Sequence, residues 1–162
     1  MPSLSMTNAG LNFSDYQTPG ANMASELLDH YEEGTWSPTY STTGVSSTLA
    51  MISQIGHYER VGGCVTAWFQ AATNTSTWNG TYIQFGDLPF AVTDTRVAGF
   101  IAQAYNWAGQ TPRTLFLATT TRMYVSYRDT SPETDAISRA DDATASGSTQ
   151  NLIEGVIICK VS

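Results

Sequence analysis

Between Cys64 and Ala72 the side chains alternate. Val65, Ala67, Phe69 and Ala71 point one way, and Cys64, Thr66, Trp68 and Gln70 the other. A period of two is the signature of a strand. Both sets are partly apolar, which suits a strand packed on one side and shared with a partner on the other. Trp68, in mid-strand, reads as core or interface. Upstream, Ala50 to Arg60 is a second β-rich run, and Val61-Gly62-Gly63 forms the tight turn between the two. Thr35 to Ser41 is another such run, in which Pro38 argues for an edge position. Trp78-Asn79-Gly80 marks a turn before Thr81 to Phe85. Further strands read at Arg96 to Tyr105, Thr114 to Ala118, Arg122 to Tyr127 and Ile153 to Val161. Asp129 to Gln150 is a polar connection, with a turn of helix expected near Asp135 to Ala140.

The first 33 residues follow no such period. Met1 to Met23 is rich in Ser, Asn, Gly and Pro, with isolated apolar residues at Leu4, Leu11, Phe13 and Tyr16. This reads as an extended N-terminal arm. A short helical turn is expected at Ser25 to His30, with Ser25 as N-cap, Glu26 at the favourable end of the dipole and Gly34 as the stop. The chain therefore divides into an arm over 1–33 and a β domain over 34–162. Strands spaced by turns, with no long helical pattern, indicate an antiparallel β-sandwich of jelly-roll type.

Composition narrows the partners. The 162 residues include 14 acidic and 7 basic ones, for a net charge of −7, and Lys160 is the sole lysine. Phosphate binding needs clustered cations, so duplex nucleic acid is excluded, and a polybasic membrane contact fails for the same reason. The start, Met1-Pro2-Ser3-Leu4-Ser5, lacks the basic and apolar regions of a signal peptide, and no apolar run reaches the ~20 residues that span a bilayer. The expectation is a chain made and folded in a cytoplasm, where Cys64 and Cys159 read as buried free thiols, with a disulfide between them as the alternative. The sequons at Asn12, Asn74 and Asn79 carry little meaning without a secretory route.

The catalytic inventory is thin. His30 and His57 lie near no nucleophile signature, two histidines with two dispersed cysteines are a poor zinc set, and no phosphate-binding glycine loop is present. No cofactor is implied. Glycosidases need only two carboxylates. Asp29, Glu32 and Glu33 cluster, as do Asp141 and Asp142, but capping and loop solvation account for both groups, and no calcium-loop spacing supports a metal. Aromatic residues give the better lead. Trp78, Asn79 and Tyr82 surround one turn, and Tyr105 and Trp107 flank Asn106 in another. Flat rings beside amides suit sugars, although such rings also serve cores and interfaces.

Several stretches are familiar together. Leu28-Asp29-His30-Tyr31-Glu32-Glu33-Gly34-Thr35-Trp36-Ser37-Pro38-Thr39 resembles the LDDYEEGTWTPT segment of bacteriophage tail-fibre tip modules. Gly10-Leu11-Asn12-Phe13 followed by Gln17 resembles their GIxFPATQ lead-in. Gly56-His57-Tyr58-Glu59-Arg60-Val61-Gly62-Gly63-Cys64-Val65 resembles their GRYTKIGNVV hairpin, and Leu88-Pro89-Phe90 their GLPF, with Asp87 intervening after Gly86. The likeness covers the first 90 residues. It implies a phage virion protein with a β-sandwich head, trimeric, and in tail fibres often in contact with the host surface.

Met1 lies nine residues before the Gly10 lead-in, so the expectation is a head without a shaft or adaptor. That favours a capsid decoration (cement) protein, trimeric on the outer surface of the virion and assembled in the host cytoplasm. Its partners would be itself and the major capsid protein, with a host-surface glycan as a second role. An arm of 30 residues reaches up to about 100 Å. Leu11, Phe13 and Tyr16 would each contribute roughly 1.5–3 kcal/mol if buried on capsid or neighbour. The alternatives are a receptor-binding tail-fibre tip that mediates host attachment and, from another class, a glycan-active enzyme.

Overall fold

The computed structural model describes residues 5–7, 10–12, 27–28, 31–44, 49–73, 81–93, 97–107, 110–128, 135–138 and 151–161. Every regular element among them is a strand. Three short ones, β1 (Ser5–Thr7), β2 (Gly10–Asn12) and β3 (Leu27–Leu28), pair antiparallel in that order. The main sheet holds β4 (Tyr31–Trp36), β5 (Thr39–Thr42), β6 (Met51–Val61), β7 (Cys64–Thr73), β8 (Ile83–Gly86), β9 (Ala98–Tyr105), β10 (Thr114–Thr119), β11 (Arg122–Arg128), β12 (Asp135–Ile137) and β13 (Leu152–Lys160). Its path runs β4-β6-β7-β13-β9-β10-β11-β8-β5, with β12 paired to β11, and every pairing is antiparallel.

Three local expectations are corrected. Leu27–Leu28 is strand rather than part of a helical turn, and Asp135–Ile137 is strand where a second turn was expected. Gly34 does not stop a helix but lies inside β4, which runs through the 33/34 boundary. In the first two places local propensity yields to strand pairing: β3 finds β2, and β12 finds β11.

The topology forces a curl. β4 and β5 sit at opposite ends of the path, yet only Ser37 and Pro38 separate them. Three Cα steps span at most about 11 Å, so the two edges must meet, and the sheet rolls into a half-barrel. The edge position argued for Pro38 fits both strands that flank it. Inside the curl, Phe85 of β8 is fully buried and lies 4.5 Å from Phe69 of β7, 5.8 Å from Trp36 of β4 and 6.0 Å from Tyr40 of β5, centroid to centroid. Tyr40 Oη donates to the Ala71 carbonyl at 3.4 Å, joining β5 to β7 across the interior. Val65, Ala67, Phe69 and Ala71 are all buried, as the alternation predicts, along with Ile83, Met123, Val125, Ile153 and Ile157.

Candidate functional site

The inner face of β4 and β6 locks by exchanging glycine for aromatic. In register, Gly34 opposes Tyr58 and Trp36 opposes Gly56. The Tyr58 ring covers Gly34 so closely that a Cβ there would stand 2.6 Å from Tyr58 Oη. Trp36 covers Gly56 in return, and a Cβ there would meet indole Cε2 at 2.7 Å. Each glycine makes room for the ring across from it, an arrangement that pins register. Tyr58 Oη donates to Glu32 Oε1 at 2.7 Å, and this bond to a carboxylate raises the phenol's pKa. Phe90 then meets Tyr58 edge-on at 4.7 Å, with the Arg60 guanidinium 5.6 Å from its ring centre. The segments around Trp36, Tyr58 and Phe90, distant in sequence, thus interlock as one seam.

The outer face of the same strands is open. Reading across β4, β6, β7, β13 and β9, the register gives four rows: Tyr31–Val61–Cys64–Lys160, Glu33–Glu59–Thr66–Ile158–Ala98, Thr35–His57–Trp68–Val156–Phe100 and Ile55–Gln70–Glu154–Gln103. Most of the exposed large apolar side chains among the described residues lie here, including Trp68 at 44%, Phe100 at 54% and Ile158 at 41% exposure. A shallow groove of about 450 Å³ runs past Ile55, Trp68, Gln70 and Val156, and a second of about 410 Å³ past Glu33, Thr35 and Glu59. The two share His57 and Trp68. Tyr31 Oη donates to Glu33 Oε2 at 3.1 Å, which raises the Tyr31 pKa. Ser53 Oγ donates to Gln70 Oε1 at 2.7 Å, and Gln70 Nε2 donates to Glu154. Glu33 and Glu59 oppose each other directly, a like-charge pair that disfavours the sheet. An apolar centre with a polar rim is the anatomy of a contact surface.

Of the five candidate glycan-binding residues, three are described. Trp78 and Asn79 lie outside the described residues. Tyr82, just before β8, packs edge-on against Tyr124 of β11 at 6.1 Å, and Tyr124 meets Phe116 of β10 at 5.4 Å, forming an aromatic strip. Tyr105 is exposed on β9 opposite Leu152. Trp107 turns inward: its Nε1 donates to the Leu152 carbonyl at 3.1 Å and its ring lies 6.4 Å from Tyr40. It is partly buried against the core.

The remaining predicted residues divide by face. Glu32 and Glu33 are successive residues of a strand, one bonded to Tyr58 inside and the other to Tyr31 outside, so they cannot share a ligand or a substrate. Asp29, Asp141, Asp142, His30, Phe13 and Tyr16 lie outside the described residues. Leu28 pairs with Leu11 between β3 and β2, and Pro38 is buried at the crossing. Cys159 is buried, which pushes its thiol pKa up, but Cys64 is exposed, contrary to expectation, and both are free. Sequence reasoning missed Glu59, His57 and Glu154, because only register places them beside Trp68. Comparison of the chain with protein-family models, with curated proteins and with solved structures found no match.

Proposed function

We propose that this protein is a non-enzymatic structural component of a bacteriophage virion, a homotrimeric β-sandwich head that decorates the outer capsid surface. The observation that carries this reading is the seam. The stretches that resemble tail-fibre tips, around Trp36, Tyr58 and Phe90, are scattered along the chain but interlock in space. Short matches that arose by accident would have no reason to meet. In this reading the resemblance marks a shared structural unit, whose business is to close the sheet. The two walls of the curl, with Phe69 and Phe85 packed between them, serve as the layers of the sandwich.

The major capsid protein and neighbouring copies are the proposed partners, with the arm as one of the attachments. A host-surface glycan is a secondary partner, and the Tyr82–Tyr124–Phe116 strip is the surface that would take it, since ring faces cover sugar C–H groups. Quantitative densitometry of purified virions tests the placement. Hundreds of copies per particle support decoration. A few copies confined to the tail fraction overturn it in favour of a receptor-binding tail-fibre tip.

A further inference from the structure

The geometry points to the outer face of β6, β7, β13 and β9 as a self-complementary docking surface, whose occupant is the same face of a second copy related by a two-fold axis. An isologous contact requires that a surface match itself after rotation. The axis that achieves this lies in the contact plane, perpendicular to the strands, between the row of Thr66 and the row of Trp68. About it each strand faces its own copy running the other way. The Thr66 row then lands on the Trp68 row, and the Cys64 row on the Gln70 row.

The register decides what meets. Ile158 faces Val156 of the second copy, Ala98 faces its Phe100, and Val61 faces its Ile55, so apolar groups meet apolar groups across the centre. Lys160 faces Glu154 of the second copy and Glu59 faces its His57. Each contact occurs twice by symmetry. An axis along β7 would instead set Lys160 on Val61 and Glu154 on Ile55, burying charge against apolar side chains at a cost. Packed sheets cross at about 30°, which leaves the central contacts in place.

Five strands and four rows measure about 19 Å by about 20 Å, roughly 400 Å² per copy, which is below the size of stable specific interfaces and makes this a weak, transient contact. Pairing is therefore sought at about 10–100 µM. This inference concerns the isolated chain and does not rest on capsid placement. A two-fold contact is distinct from the three-fold contact of the proposed trimer, and the two together give six copies.

Sedimentation of the full chain tests it by charge exchange. Glu154 and Lys160 are six residues apart on one strand, about 20 Å, so they cannot pair within a chain. Wild type should form a dimer or hexamer. Glu154→Lys and Lys160→Glu should each weaken the pairing about tenfold or more, and the double exchange should recover it to within about threefold. Ile158→Glu should abolish pairing through a different contact, with the unfolding midpoint of each variant recorded alongside. A monomer or an odd-numbered species throughout, or a double variant no better than the singles, overturns the inference. Virion copy number bears on the capsid reading alone, so the two fail separately.

Discussion

The two faces of β6 and β7 are made by the same residues in alternation, yet they behave as different materials. Inward, Gly56, Tyr58, Val65, Ala67 and Phe69 meet partners from both ends of the sheet. Outward, Ile55, His57 and Trp68 are exposed beside half-buried Gln70, a mixed apolar and polar surface. The inner face is specified by steric fit, where one ring fills the space over one glycine. The outer face is specified by its pattern across strands, which becomes meaningful only against another surface. Stability should reside in the first and association in the second.

The sharpest way to break that division is at the centre of the curl. Phe85→Ala removes the ring that Trp36, Tyr40 and Phe69 share and should cost about 3–5 kcal/mol, read as a lower midpoint in chemical denaturation. At the seam, Gly56→Ala places a methyl group against the Trp36 indole and should cost about 1–3 kcal/mol. The same substitution at an exposed strand position would cost little, so a near-neutral result would refute the proposed seam.

Tyr40 adds a pH signature to the inner face. Burial holds its phenol well above 10.0, with a backbone hydrogen bond at Ile153 opposing only part of the shift. The folded state therefore keeps the proton after the unfolded chain has lost it. The associated stability is fully present below pH 10 and is lost as pH rises through the folded value. Thermal midpoints followed across alkaline pH should fall, and Tyr40→Phe should flatten the fall. Tyr58→Phe is the milder test, because it keeps the ring over Gly34 and removes one bond to Glu32, and it should lower the unfolding midpoint only slightly.

Much of the inner face was legible in the sequence. The alternation from Val65 to Ala71, the Gly62-Gly63 turn with Gly62 at a φ of 57°, and the edge placement of Pro38 are all local signals. Residues governed by distant partners were harder to read. Gly34 reads locally as a helix stop, and only the Tyr58 ring across the strand pair explains it in β4. Trp107 reads as a loop aromatic, and its inward turn depends on Tyr40 and the Leu152 carbonyl. The outer face was anticipated in kind, through the mixed pattern of β7, but not in membership. Glu59, His57 and Glu154 reach Trp68 only by register, and alternation within one strand carries no register to the next.

One variant measured two ways tests the division of labour most directly. Trp68→Glu places a charge at the centre of the outer face and touches nothing inside. Sedimentation and chemical denaturation of this variant should show the two-fold pairing lost, a monomer where wild type is a dimer or a trimer where it is a hexamer, with an unfolding free energy, referred to monomer, within about 0.5 kcal/mol of wild type. An unchanged assembly state, or a loss of several kcal/mol with the assembly intact, would contradict the account and return Trp68 to the core.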